Sequence, residues 1–268
     1  MAEVGVGFKR PELNSEPLAG SVKPYDKHVF LVWGLASDWP EDPFDEQHEG
    51  TLPVRLSKAI KAEKQIKSKV RVSLVEATST SEEGSVLVFP DYIRCDVGRD
   101  GARIPELVRC LTGGVDHNKP GSSVQDIEDG FAFVCAHTKR DERCGHCGPR
   151  LVESATRLVK AGAAPAMQVR KCSHVGGHKY AGNLIIYSGK ASKDDGHWYG
   201  YATPDNLQSI LTGRAVRSRL WRGRLGISES AAVAERKRQV FLNFLPVGLG
   251  VAVLIGIGSY AWLHKRKS

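Results

Sequence analysis

Eight side chains able to bind metal or do thiol chemistry fall between residues 135 and 178: Cys135, Cys144, Cys147, Cys172, His137, His146, His174 and His178. Three chemistries compete for them. Cys144-Gly-His-Cys147 is a C-x2-C pair between a strand-like and a helix-like segment, and a helix N-terminus lowers a thiol's pKa as dithiol exchange requires. Against that reading, Arg143 stands where such enzymes carry an aromatic residue. The segment expected to face the dithiol, CSHVGGHKYAG, also has no proline. A structural zinc site would accept two Cys and two His, but the Cys135-to-Cys144 spacing fits zinc-finger patterns poorly. The third reading is an iron–sulfur cluster. Cys135 and Cys144 bracket one loop, and His174 and His178 bracket another, HVGGH, whose paired glycines let backbone wrap closely around an inorganic core.

Two long stretches, VCAHTKRDERCGHCGP (134–149) and CSHVGGHKYAGNLIIY (172–187), carry a specific resemblance, with support from HVFLVWG and WYGYATPDNLQSIL. Over residues 25–213, about 70% of the chain, the sequence resembles the sucrase/ferredoxin-like family. The resemblance implies a thioredoxin-like ferredoxin fold and a 2Fe–2S cluster ligated by Cys135, Cys144, His174 and His178. A bound cluster points to one-electron transfer or redox sensing more than to an enzyme; the CGHC motif itself supplies the alternative, thiol–disulfide exchange by Cys144 and Cys147. A hydrolase has no paired-carboxylate motif to support it.

The other candidates have simpler expected roles. Cys147, Cys172, Cys95 and Cys110 read as packing thiols, and His137 and His146 as solvated loop residues. Lys139, Arg140 and Arg143 make the ligand loop basic, which suits either a solvated loop or docking of an acidic redox partner protein.

The elements that must position these residues follow from periodicity. HVFLVWG (28–34) reads as a strand, LPVRLSKAIKAEKQI (52–66) as a helix, VRVSLVEAT (70–78) as a strand, SVLVFPDYIRCDV (85–97) as one or two strands, and IPELVRCLTGG (104–114) as a short helix. After a polar linker the order repeats. FAFVCAH (131–137), MQVRKCSHV, GNLIIYSG and HWYGYAT read as strands, GPRLVESATRLVKAG (148–162) and PDNLQSILTG as helices. Both halves end on Leu-Thr-Gly. The expected architecture is α/β with two tandem thioredoxin-like units: a flexible arm at 1–24, a ligand-free unit at 25–115, a cluster-bearing unit at 126–214, and a basic linker at 215–239.

The remaining segment, 240–263, is an uncharged run of the length that spans a bilayer. It predicts a C-terminal transmembrane tail anchor with the globular part facing the cytosol, and leans toward a mitochondrial or plastid outer membrane. Gly248, Ala252 and Gly256 lie on one face of it, suited to close helix–helix association. The net charge of +8 invites a nucleic-acid reading, but the basic residues are dispersed and no such binding motif is present. The six cysteines are too few for a disulfide scaffold in a chain of this length.

Overall fold

A computed structural model describes residues 16–113, 123–192, 195–216 and 218–244. The first half contributes β1 (Lys27–Val32), α1 (Leu52–Ala62), β2 (Val70–Val75), β3 (Ser85–Phe89), β4 (Ile93–Asp96) and α2 (Ile104–Leu111). The second contributes β5 (Val124–Asp126), β6 (Gly130–Cys135), α3 (Glu142–Lys160), β7 (Met167–Cys172), β8 (Leu184–Tyr187), β9 (His197–Tyr199), α4 (Pro204–Leu211), β10 (Trp221–Arg224) and α5 (Glu229–Phe244).

The strands form a ten-stranded sheet in the order β10-β9-β8-β6-β7-β2-β1-β3-β4-β5. The connection pattern is the same on both sides. β1 pairs parallel with β2 and antiparallel with β3, as β6 does with β7 and β8. Helices supply the parallel crossovers, which a two-residue turn cannot make. α2 and α4 both stop at a Thr-Gly step where Gly113 (φ +81°) and Gly213 (φ +74°) take the left-handed conformation that ends helices.

The two halves meet at β2 and β7, antiparallel with Val75 opposite Cys172. The seam is extended by Ser173 N–H donating to Leu74 O (2.9 Å) and Glu76 N–H donating to Lys171 O (3.0 Å). Because so few residues pair, the sheet folds sharply here. Phe30 of β1 and Phe133 of β6 lie three strands apart, roughly 14 Å in a flat sheet, yet their rings stack at 3.9 Å. The half-sheets therefore face one another across an inner layer of Phe30, Phe89, Phe131, Phe133, Tyr187 and Trp198. Strand alternation sends the intervening residues outward. Val29, Leu31 and Leu74 meet Leu52, Leu56 and Leu107 of α1 and α2, while Ala132, Val134 and Leu184 meet Leu151, Leu207 and Ile210 of α3 and α4. The layers run helix, sheet, sheet, helix.

This corrects the expectation of a thioredoxin-like ferredoxin fold in two tandem units. The half-sheets are one continuous sheet because edges β2 and β7, which would otherwise be open templates for pairing, close on each other. The expected anchor is corrected too. Among the described residues no helix is long and apolar enough to cross a membrane. Val240–Phe244 instead continue α5, which carries Glu235, Arg236, Lys237 and Arg238. That helix docks onto the domain through Gln239, which is buried and donates to Ser218 O and Trp221 O while accepting from Ala19 N–H. Residues 245–263, with Gly248, Ala252 and Gly256, lie outside the described residues. Membrane attachment, helix–helix association through that stripe and a cytosol-facing outer-membrane placement are accordingly withdrawn.

Candidate metal centre

Parallel strands β6 and β7 end side by side, with Cys135 opposite Cys172, so the loops that follow them leave the sheet at the same edge. The loop after β6 turns into α3 at Asp141, whose carboxylate caps the helix by accepting from Arg143 N–H (3.0 Å). The Arg143 guanidinium beside it holds the Asp141 carboxyl below its usual range, against the opposing effect of burial, which is the largest single influence. α3 starts six residues before the expected helix and so takes the whole CGHC stretch into its first turns. Two of its glycines are contact surfaces. A Cβ on Gly145 would overlap Thr138, and one on Gly148 would lie 2.5 Å from Cys135 O. This close approach brings Cys144 Sγ beneath the end of β6.

The loop after β7 carries His174 and His178. Gly176 and Gly177 are both left-handed, at φ +85° and +75°, a conformation that costs other residues about 1–2 kcal/mol each. The bend folds His174 back toward the cysteines. Its Nδ1 lies 3.9 Å from Cys135 Sγ and 3.8 Å from Cys144 Sγ, and the three potential ligand atoms are all within 4.8 Å of one another. His178 is adjacent rather than converged. Its ring is 5.8 Å from that of His174, and its Nδ1 is 3.9 Å from Asp141 Oδ2. Cys135 and Cys144 are buried, whereas His174 is half-buried and His178 exposed. Sulfur thus lies inside and imidazole toward solvent.

The two thiols are coupled. The hydrogen bond with Cys144, with a further contribution from His174, pulls the Cys135 thiol well down against the cost of burial. The same hydrogen bond and burial push Cys144 up. Thiolate is the metal-binding form of cysteine, and the hydrogen bond between the two sulfurs favours it at Cys135.

His137 is not a ligand candidate. It is buried, its Nδ1 accepts from His174 N–H (3.3 Å) and its Nε2 donates to Pro40 O (2.9 Å), so both ring nitrogens are engaged in holding His174's backbone. His146 pairs with Arg150 through Nε2 at 2.8 Å. Cys147 packs in the core under α3 and Cys172 in the inner layer, where burial pushes its thiol up.

Sequence reasoning missed two arginines. Arg222 of β10 is 2% exposed and lies under the HVGGH loop. It donates to Gly176 O (3.0 Å), Asn183 Oδ1 (2.7 Å) and Ser21 Oγ (3.0 Å). Arg71 of β2 donates to Val175 O (2.9 Å). An arginine in a strand ordinarily reads as solvent-facing. The available signal was its place within Trp-Arg-Gly-Arg (221–224), where an aromatic and a glycine flank it.

Residues 18–223 match the sucrase/ferredoxin-like family. The chain belongs to this family. The relatives it matches include proteins named "Altered inheritance of mitochondria protein 32". That of Candida glabrata is 39% identical over 89 residues, 31% of this chain and 28% of the relative. That of Debaryomyces hansenii is 36% identical over 103 residues, 37% of each chain. The protein of this name from Saccharomyces kudriavzevii is 30% identical over 170 residues, 58% of this chain and 50% of the relative. The matched region thus spans between about a quarter and a half of these relatives' length. No solved structure matches the chain significantly.

These findings correct the functional expectation. For the expected membrane-anchored 2Fe–2S protein of electron transfer or redox sensing, no helix among the described residues supplies the anchor, and the relatives are named for mitochondrial inheritance, not electron transfer. The dithiol alternative fails as well. Cys144 and Cys147 are 0% and 3% exposed, so neither offers the accessible sulfur that attack on a disulfide requires.

Proposed function

We propose that this chain is a metal-cluster-binding member of its family, holding a 2Fe–2S cluster through Cys135, Cys144, His174 and His178. The convergence of three potential ligand atoms within 4.8 Å at the shared end of β6 and β7 carries this reading, with His178 beside them on the same loop. The donor set suits the group: two thiols and two imidazoles are a known ligand combination for such clusters, and supply one-electron redox chemistry when the cluster is bound. The glycine pair supports it by removing side-chain bulk from the loop facing the sulfurs. The buried thiols keep water from the cysteine side, and Arg71, Arg222 and His137 hold the backbone of the histidine loop. From the relatives' name we carry over the process, the inheritance of mitochondria.

The test is anaerobic purification of the full chain with iron and sulfide analysis. The expected result is a coloured protein with two irons and two sulfides, bleached in His174→Ala and unchanged in Cys147→Ser. A colourless protein carrying zinc instead would replace this reading with a structural zinc site. For the process, the chain should restore normal mitochondrial inheritance to Candida glabrata cells lacking their own relative, and His174→Ala should not.

A further inference from the structure

Behind the histidine loop lies a cavity of about 390 Å³ whose lining includes Lys23, Arg71, Lys179, Tyr180, Trp198 and Arg222. Its charge is one-sided. Lys179 is paired with Glu16 (2.6 Å), but among the described residues no carboxylate lies within ion-pair distance of Arg71, Arg222 or Lys23. The two guanidiniums flank the same indole, Arg71 at 4.9 Å and Arg222 at 5.8 Å from the Trp198 ring. Their protein hydrogen-bond acceptors are neutral: backbone carbonyls, the amide oxygen of Asn183 and the hydroxyl of Ser21.

Burying a guanidinium without an opposite charge is costly, and placing a second one across the same ring adds repulsion. The aromatic faces of Trp198, Tyr25 and Tyr180 offset part of this. None of them neutralises charge. Arginine's planar fork binds carboxylate and phosphate oxygens two at a time, and the cavity is within the size range of small-molecule sites.

We propose that this cavity binds a small molecule through an oxyanion, a phosphate or carboxylate group, held between Arg71 and Arg222 with Lys23 at the mouth. No cysteine lines the cavity, although it shares Val175, Gly176 and Gly177 with the histidine loop and Arg222 feels the charge of Cys135 and Cys144; ligand binding there does not require a metal to be bound. The ligand replaces the carboxylate partner that the two arginines lack.

The test is calorimetric titration of the full chain, as purified, with sodium phosphate and separately with citrate, at an ionic strength held constant with sodium chloride. Saturable binding of at least one probe is expected, and the tighter of the two identifies the group. Arg71→Gln should weaken it about tenfold, as loss of a charge-assisted pair does. Lys23→Ala, an exposed position independent of the core, should weaken it about threefold through its charge alone. Absence of saturable heat with both probes up to about 10 mM overturns the proposal. So does binding that Lys23→Ala leaves unchanged, because the ions would then be held elsewhere.

Discussion

Gly177 lies directly against the guanidinium of Arg222: a Cβ on Gly177 would overlap Nη2 of that buried arginine. Its neighbour Gly176 shares the left-handed backbone, but a Cβ there would meet nothing within 4 Å. The pair separates two costs. Gly176→Ala should lose about 1 kcal/mol, the backbone cost alone. Gly177→Ala should lose at least about 2 kcal/mol, because Arg222 must also move and release Gly176 O and Asn183. Urea denaturation of the two variants measures the difference, and equal losses would show that Arg222 does not brace the loop.

Gly148 makes the corresponding contact on the cysteine side. An added methyl would be 2.5 Å from Cys135 O and 2.6 Å from Ala136 Cβ, backbone and a short side chain that cannot step aside. Gly148→Ala should therefore push α3 off the end of β6 and cost about 2–4 kcal/mol, with loss of the proposed cluster. Iron content measured alongside stability checks both effects.

His28 predicts acid sensitivity. It is fully buried on β1, stacked at 3.8 Å on Phe30, bonded to Ser73 Oγ (3.0 Å) and 3.4 Å from Tyr25 O–H. Burial, reinforced by the Arg71 charge, pulls its pKa well below the ordinary value. The unfolded chain then takes up this proton first. Stability should fall as pH drops below about 6.5, by up to about 1.4 kcal/mol per pH unit, and be independent of this group above it. In His28→Phe the slope between pH 6.5 and 5 should shrink by about one proton. An unchanged slope would assign the acid sensitivity to other groups.

The proposed ligand set predicts that acid strips the cluster. A protonated imidazole has no lone pair for iron, so His174 and His178 are the ligands that acid removes first. Visible absorbance should bleach on mild acidification. A His174→Cys, His178→Cys double variant should hold its colour to lower pH, and bleaching at the same pH in both would place the weak ligands elsewhere.

Most strands and helices were legible because their apolar residues repeat with clear periods, as in Val29, Leu31 and Leu74 against Leu52 and Leu56. Two strands were not. Val124–Asp126 is a three-residue strand in a polar linker, and Trp221–Arg224 carries arginines that read as a basic, helix-prone stretch. The start of α3 was placed six residues late, at Gly148, because Gly145 ahead of it looks like a helix breaker. In the structure the two glycines are where the helix touches Thr138 and the end of β6. Of the site, Cys135, Cys144 and His174, which the structure brings together, were singled out as brackets of two loops and named as a ligand set only through the family resemblance. Arg71 and Pro40 were not, because they reach the site only across the β2–β7 seam, and Arg222 was not, because it arrives from β10 at the far end of the sheet.

That seam gives the ligand-free half a share in the chemistry. Leu74 N–H donates to Ser173 Oγ (2.9 Å), Arg71 holds Val175 O, and Pro40 O fixes the ring that receives His174 N–H. All three contacts come from the first half of the chain. The covalent link makes that half a permanently tethered partner, present at the millimolar effective concentration typical of short connections. Were the backbone cut between α2 and β5, His174 would be positioned by a partner free to diffuse away. Affinity for the proposed cluster, a property of one molecule in the intact chain, would then depend on protein concentration.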